Sequence, residues 1–290
     1  MSRRRALGVF GLVAAGATGL VELVRSFGSP APRPRVAAGT TRLVESYGDG
    51  KRRRGEWWVP PGATGPLPTV VLVHGGYWRA SYDLHLEDAV AADLAGRGFL
   101  VWNVDYAPSD QPWPATLTDA AAAYDFLSRG HFASRVDTKR IAVVGHSAGG
   151  HLALWLGSRG RVPAGGPGSG AVAFARPALL VPQAPVAALA RGSAEGLGGG
   201  AVDALVGGTP RQVPDRYRAA DPLALLPTGI RTVLLHSETD GIVPISQSED
   251  YLAAAGPATC SLVRVPGDHF AHLDPRSAAV EALRTALATL

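Results

Sequence analysis

Four short strings in this chain carry side chains that together could cleave a carbonyl compound. In chain order they are His74-Gly75-Gly76-Tyr77-Trp78, Gly145-His146-Ser147-Ala148-Gly149, Asp240 and His269. A serine nucleophile needs a base to accept its proton, an acid to orient that base, and backbone N–H groups to bind the oxyanion. On a parallel α/β sheet these parts follow in the order oxyanion loop, nucleophile, acid and base. The four strings have that order, which predicts a serine hydrolase site.

The string around Ser147 is typical of a nucleophile on a tight turn between a strand and a helix. The apolar run Ile141–Val144 predicts the strand, and a helical pattern follows the serine at once. Gly145 and Gly149, two residues to either side, remove the side chains that would clash in such a turn. The turn also places the Ala148 N–H at a helix N-terminus, where it can bind an oxyanion. The alternative is a glycine-rich loop in which Ser147 is an ordinary N-cap residue.

The two glycines after the first buried strand, Gly75 and Gly76, predict a loop whose backbone can approach a ligand closely. We expect the Gly76 N–H to be the main donor of an oxyanion hole, with Gly75 and Tyr77 as alternatives. A simple tight turn is the other interpretation. We expect His74 to brace the loop by hydrogen bonds. Tyr77 and Trp78 either form the wall of a substrate pocket or pack in the core.

The expected acid is Asp240, four residues after a predicted strand, on a loop where a carboxylate can orient an imidazole. Glu238 and, more distantly, Asp268 are the competing acids. The expected base is His269, which lies on the loop after the last predicted strand.

Two further histidines lie close to these residues in the sequence. His272 is the rival base, but Asp274 and Pro275 after it predict the cap and first residue of the terminal helix, which favours a structural role. His146, beside the serine, is expected to be a packing or substrate-binding neighbour.

Short apolar runs alternate with helical patterns along most of the chain. This alternation predicts an α/β fold with a mostly parallel central sheet and helices on both faces. Two β-type runs, Thr41–Tyr47 and Arg54–Val59, flank Gly48-Asp49-Gly50-Lys51 and predict an antiparallel N-terminal hairpin.

The 290 residues are enough for one domain with a large core, which we predict over residues 39–290. Two glycine-rich stretches, 157–170 and 191–217, are predicted as loops. A small cap is predicted within residues 182–220.

The composition excludes several classes of protein. Cys260 is the only cysteine, which rules out an internal disulfide or a cysteine-based metal site. Lys and Arg outnumber Asp and Glu by 11 to 3 in residues 1–54 but are outnumbered by 17 to 21 in the remainder, so the body has no mark of a nucleic-acid binder. The histidines and carboxylates lack metal-ligand spacing, and no phosphate-binding loop is present, so we expect no metal or cofactor. The oligomeric state stays open.

The N-terminal segment, residues 1–38, has the form of an export signal. Arg3-Arg4-Arg5 precedes an apolar stretch from Ala6 to Val21, and the string resembles a twin-arginine signal. An uncleaved membrane anchor and an unsorted cytoplasmic N-terminus are the alternatives. The apolar stretch is shorter than the roughly 20 residues that a membrane span needs.

At these strings the chain resembles the α/β-hydrolase superfamily over about residues 40–290, and within it the kynurenine formamidase (arylformamidase)-like and carboxylesterase group. The motifs are those around Gly75, Ser147 and His269. The resemblance implies a catalytic triad of Ser147, Asp240 and His269, no cofactor, and a small-molecule ester or aryl formamide as substrate. Lactone hydrolysis and a non-catalytic binding module that keeps the same fold are the alternatives.

Overall fold

The computed structural model describes residues 36–169 and 175–290. The predicted N-terminal signal lies almost wholly outside these residues, and its role stays a prediction. Across the described ranges, no helix is both long and apolar enough to cross a membrane.

Eight strands form one twisted sheet in the order β1-β2-β4-β3-β5-β6-β7-β8. Strands β1 and β2 form the predicted antiparallel hairpin, and β2 also runs antiparallel to β4. All other neighbouring strands are parallel, as the alternating pattern predicts. The strands are β1 Thr41–Ser46, β2 Arg54–Val59, β3 Leu67–Val73, β4 Leu100–Val104, β5 Val136–His146, β6 Leu179–Gln183, β7 Arg231–His236 and β8 Cys260–Arg264.

Eight α-helices accompany the sheet in the described residues. They are α1 Asp88–Gly96, α2 Ala115–Asp125, α3 Ala148–Gly157, α4 Leu189–Ala194, α5 Leu197–Val206, α6 Pro214–Ala220, α7 Ser246–Ala255 and α8 Ala278–Leu287. The prediction of a loop over residues 191–217 is wrong, because α4, α5 and α6 cover most of that stretch. Its glycines fall mainly at the start of α5, where Gly198, Gly199 and Gly200 have positive φ angles of 63°, 66° and 84°.

The two faces of the sheet are covered by different helices. Val90 and Leu94 of α1 and Leu283 of α8 pack in one apolar cluster with strand residues such as Val101. Trp102, the next residue on β4, points to the opposite face and donates a hydrogen bond to Ala123 O of α2 (3.0 Å). Because both faces are covered, the buried parts of the central strands are mostly apolar, as expected for a parallel sheet.

The topology determines where a site can form. From β3 the chain passes to β4 on one side, and then returns to β5 on the other side of β3. Loops that leave the carboxyl ends of β3 and β5 therefore diverge, and ligands of α/β sheets bind in the crevice at such a switch point. His74, Ser147 and Ser237 directly follow β3, β5 and β7 at this edge.

Within residues 36–169 and 175–290, the Glu87 carboxyl group is buried with no hydrogen-bond partner for either of its oxygens. Glu87 lies just before α1 and is fully buried. Burial, together with the nearby Asp88 carboxylate, raises the pKa of Glu87 from 4.5 to about 8. In the unfolded chain this carboxyl group ionises at its ordinary pKa, so folding stability falls as the pH rises from about 4.5 to about 8.

Glu87→Gln, which removes this titration, should therefore stabilise the protein more at pH 9 than at pH 5. The difference in unfolding free energy between variant and parent should grow by about 1.4 kcal/mol per pH unit within that window. Urea denaturation at several pH values measures it. Glu281→Gln, at an exposed position, is the matched control and should show no such growth. A pH-independent difference for Glu87→Gln contradicts the assignment.

Candidate active site

Ser147 lies on a sharp turn between β5 and α3, as predicted. Its φ of 56° and ψ of −116° are a strained conformation for a residue with a side chain. The Ser147 N–H donates to Gln183 O of the neighbouring strand β6 (2.8 Å), which holds the turn in place. Helix α3 starts at Ala148, so its first N–H groups are free of helical partners and lie beside the serine.

The glycines on either side of this turn are required by close packing. A Cβ atom on Gly145 would lie 2.1 Å from Gly149 O, and a Cβ atom on Gly149 would lie 2.0 Å from Val73 O. Both distances are far below contact distance. The turn therefore excludes any side chain at these two positions, which explains the Gly-x-Ser-x-Gly pattern.

The loop after β3 is braced through His74. The His74 Nδ1–H donates to Gly75 O (2.7 Å), and Nε2 lies 3.2 Å from Asp105 Oδ1. The ring stacks on Tyr106 with centroids 4.3 Å apart, and the Tyr106 hydroxyl donates to His74 O (2.8 Å). The structure thus shows the bracing contacts that the sequence predicts for His74.

Gly75 and Gly76 bring the backbone of this loop against the nucleophile. A Cβ atom on Gly75 would lie 2.9 Å from His146 O and 3.2 Å from Ser147 Cβ. Gly76 has a φ of 106°, and a Cβ atom there would lie 2.3 Å from the Tyr82 ring. The missing side chain at Gly75 therefore lets the loop backbone approach the serine, and the missing side chain at Gly76 makes room for the Tyr82 ring.

The two aromatic residues that follow have different surroundings. The Tyr77 hydroxyl donates to Ile242 O (3.0 Å), which joins the loop after β3 to the loop after β7. Trp78 is fully buried and packs edge-on against His151, with centroids 5.3 Å apart. The contacts of Trp78 are those expected of core packing, and a place for Tyr77 and Trp78 in the wall of a substrate pocket stays a prediction.

The carboxylate of Asp240 is fully enclosed and faces His269. The distance from Asp240 Oδ2 to His269 Nδ1 is 2.7 Å, and Oδ1 accepts from the N–H groups of Ile242 (2.8 Å) and Val243 (2.9 Å). Burial by itself would raise the pKa of Asp240, but hydrogen bonds from His236 and His269 outweigh it and hold this pKa far below its ordinary value. Asp240 is therefore ionised.

The competing acids have other partners. Glu238 is exposed and pairs with Arg264 (2.8 Å). The Asp268 carboxylate accepts from the N–H groups of Phe270 (2.9 Å) and Ala271 (3.1 Å), and so caps the short 3₁₀ turn His269–Leu273. Of the three acids, Asp240 is the one with a carboxylate bonded to His269.

The ring of His269 lies next to the segment that carries the serine. Its centroid is 4.5 Å from that of His146, and the His146 Nε2–H donates to His269 O (2.9 Å). His146 is almost fully buried and packs against His269, and its contact with substrate stays a prediction. Burial, with His269 and His272 nearby, lowers the pKa of His146 well below its ordinary value, and the ring is neutral.

His272 is also fully buried, with Nδ1 3.4 Å from Gln183 Nε2. Burial lowers the pKa of His272 to about 3. The predicted start of the terminal helix is wrong, because α8 begins at Ala278 and Ser277 is its cap, accepting a hydrogen bond from Val280 N. Asp274 instead pairs with Arg276 (3.0 Å). A structural role for His272 therefore no longer follows from a helix start at Asp274, but the burial of its side chain is consistent with such a role.

The sequence analysis overlooked His236, the last residue of β7. Its Nε2 lies 3.4 Å from Asp240 Oδ2, and the side chain is fully buried. The available signal was a polar residue directly after the apolar run Val233–Leu235, four residues before the expected acid.

One group of described side chains has the spacing of cation ligands, namely Glu56, His85 and Asp88, with ligand atoms within 4.8 Å of one another. Arg42 Nη2 lies 2.8 Å from Glu56 Oε2 and 3.9 Å from Asp88 Oδ2, so a guanidinium already neutralises these carboxylates. Glu56 lies on β2, His85 in the 3₁₀ turn Leu84–Glu87 and Asp88 at the start of α1, whereas Ser147 follows β5.

Comparison with solved structures identifies the architecture. The crystal structure of esterase B from Lactobacillus rhamnosis superposes with a TM-score of 0.78 at 20% identity, covering 95% of this chain and 92% of that one. A truncated carbohydrate esterase from gut microbiota gives a TM-score of 0.76 at 19% identity, covering 88% and 98%. The chain has the α/β-hydrolase fold.

Sequence comparison finds relatives of this chain over part of its length. The BD-FAE family model matches residues 56–166. Carboxylesterase NlhH of Mycobacterium tuberculosis is 38% identical over 114 residues, which is 38% of this chain and 34% of the relative. Esterase LipQ of the same organism is 28% identical over 254 residues, which is 83% of this chain and 59% of the relative. The chain thus spans from about a third to about three fifths of these relatives.

The close packing at the serine turn predicts that alanine substitutions at two glycines will differ widely in their effect on stability. Gly149→Ala should destabilise the fold by about 1–3 kcal/mol, because the added methyl group overlaps Val73 O. Thermal unfolding should show a fall in Tm of at least about 2–4 °C. Gly160→Ala is the matched control, since a Cβ atom there meets nothing within 4 Å, and its Tm should stay near that of the parent. Equal Tm values for the two variants contradict the packing argument.

Proposed function

We propose that this protein is a serine hydrolase that cleaves small carboxylic esters through an acyl-enzyme on Ser147. The observation that carries the proposal is the 2.7 Å contact between the enclosed Asp240 carboxylate and His269 Nδ1, with the His269 ring packed against His146, the residue before the serine of the strained turn. In the neutral imidazole, an Nδ1–H bonded to the carboxylate places the free lone pair on Nε2, as a general base requires.

In the proposed mechanism, the Ser147 Oγ attacks the ester carbonyl carbon while His269 Nε2 accepts the hydroxyl proton. Asp240 holds the imidazole in the required tautomer and stabilises the imidazolium that forms. The N–H groups of Gly76 and Ala148 donate to the oxyanion, with Gly75 as the alternative donor on the first loop. The tetrahedral intermediate collapses as His269 protonates the leaving alcohol. Water, activated by the same histidine, then hydrolyses the acyl-enzyme.

The substrate class is supported by the relatives and by the surroundings of the loop after β3. NlhH is named a carboxylesterase and LipQ an esterase. The Tyr77 ring is closed in by the glycine run at the start of α5, since a Cβ atom on Gly198 would lie 2.6 Å from that ring. The start of helix α5 therefore packs against the candidate oxyanion loop, and we expect this close packing to favour small acyl groups. An aryl formamide, which needs the same attack on a carbonyl carbon, is the second substrate class.

The substrate class is tested by measuring kcat/KM for p-nitrophenyl acetate, p-nitrophenyl butyrate and N-formylkynurenine. A short-chain esterase should have a high kcat/KM for both esters and a far lower kcat/KM for the formamide. A formamide rate above both ester rates would transfer the proposal to the formamidase class. No burst of p-nitrophenol and no turnover of any of the three would favour a binding module.

Ser147→Ala should remove the nucleophile and leave the fold intact. We expect no labelling by a fluorophosphonate probe and a loss of ester turnover of about 10³-fold or more, since removal of one triad member has effects of that size. Probe labelling, p-nitrophenyl acetate kinetics and Tm are the measurements. Ser158→Ala, at a serine near the C-terminal end of the same helix, is the control and should label normally. Undiminished turnover by Ser147→Ala contradicts the mechanism.

Replacement of the two neighbouring histidines should separate base from structure. His269→Ala should lower kcat by about 10³-fold or more, because the serine loses its proton acceptor. His272→Ala should cost much less, because His272 is directed to Gln183 rather than to Asp240. Steady-state kinetics on both variants decide the assignment. An inactive His272→Ala with an active His269→Ala would move the base to residue 272.

A further inference from the structure

A second imidazole lies against the acid of the proposed site. His236, at the carboxyl end of β7, is fully buried and makes three close approaches. Its Nδ1 is 2.7 Å from Ser248 Oγ of α7, and its Nε2 is 2.9 Å from Val243 O and 3.4 Å from Asp240 Oδ2. The His236 ring therefore connects helix α7, the loop after β7 and the Asp240 carboxylate.

These contacts determine which nitrogen of His236 carries the proton. Val243 O can only accept a hydrogen bond, so the Nε2 that faces it must be the donor. In the neutral ring Nδ1 is then the acceptor, and the Ser248 hydroxyl donates to it. The Nε2–H points between Val243 O and Asp240 Oδ2, and so presents a donor to the carboxylate.

The Asp240 carboxylate needs these donors because it is enclosed. A buried carboxylate is costly unless hydrogen bonds satisfy its oxygens. Two N–H groups satisfy Oδ1, whereas His269 and His236 both face Oδ2. With His269 alone on Oδ2, the carboxylate would have one fewer restraint on the side where the base sits.

We propose that His236 is a positioning residue for the acid: its Nε2–H holds the Asp240 carboxylate in the orientation that serves His269, and Ser248 holds the His236 ring in the required tautomer. This inference rests on the proposed function, since it assigns His236 a role in the same site. It also makes a statement about protonation that does not depend on activity.

The charge seen by His269 makes the proposal testable through pH. Of the groups that face His269, Asp240 carries a charge, whereas burial keeps His146 and His272 neutral and Asp268 binds the N–H groups of its own turn. Tyr77, which lies near Asp240, is also neutral because burial raises the pKa of its hydroxyl group. Removing a donor from Asp240 leaves more of its negative charge for the His269 imidazolium, which then persists to higher pH.

The experiment compares His236→Leu with His236→Gln, whose amide can place an N–H near the position of Nε2. We expect His236→Leu to lower kcat for p-nitrophenyl acetate about tenfold, with KM within about twofold, because the reacting groups are misaligned and substrate binding is spared. The acid limb of its kcat/KM profile should move to higher pH by about half a unit. His236→Gln should restore most of kcat and return the limb towards the parent position.

A fall in kcat for His236→Leu with the acid limb unmoved, or no rescue by His236→Gln, would mean that His236 only fills space, and would overturn the proposal. Side-chain ¹⁵N NMR of the parent enzyme provides a second measurement if His236→Leu fails to fold. It should show His236 protonated at Nε2, with a proton resonance that shifts in Asp240→Asn. Protonation at Nδ1, or a resonance that does not respond, overturns the proposal. These spectra need no turnover, so they still decide the role of His236 if the protein cleaves no ester.

Discussion

The hydrogen bond between Asp240 and His269 is the interaction on which the proposed site depends. It joins a carboxylate at the end of one central loop to an imidazole on the next, and both side chains are almost fully enclosed. An ionised group in such surroundings is tolerated only where donors converge on it. The turn after β7 provides them, since the N–H groups of Ile242 and Val243 face one oxygen and His236 approaches the other.

The loops that carry the site are joined to one another as well as to the sheet. The Tyr77 hydroxyl donates to Ile242 O, and the His146 Nε2–H donates to His269 O. The Ser147 N–H donates to Gln183 O of the adjacent strand. Each bond connects a residue of one candidate site segment with the backbone of a different loop or strand. In the proposed reaction these bonds would hold the nucleophile, the base and the oxyanion donors in place, as preorganised catalysis requires.

The sequence predicted the parts of this site that depend on local pattern. The strained turn at Ser147 needs a residue without a side chain two positions to either side, and that need is visible as Gly145 and Gly149. The order of strands and loops follows from apolar runs of the right length. The candidate acid was identifiable because Asp240 lies on the loop four residues after β7, at the edge where loops converge.

The errors arose where tertiary contacts decide the outcome. Gly198, Gly199 and Gly200 suggested a loop, yet these three residues form a kink within the first turn of α5. Asp274 and Pro275 have the pattern of a helix start, but Asp274 pairs with Arg276 and the helix begins later, at the Ser277 cap. A polar residue at the end of β7 is visible in the sequence, but the fold decides that His236 faces the Asp240 carboxylate four residues later.

The histidines around the proposed base show why a crowded site can still hold one mobile proton. His146 and His272 are buried and neutral; the His146 ring contacts that of His269, and the His272 ring contacts that of His146, without adding charge. In the proposed reaction, transfer of the Ser147 proton to His269 creates a cation next to the Asp240 anion. A positively charged neighbour in place of either ring would destabilise the His269 cation, whereas water there would screen that cation from the Asp240 carboxylate. Neutral, hydrogen-bonded imidazoles do neither, so the electrostatic attraction of Asp240 acts on the base at full strength.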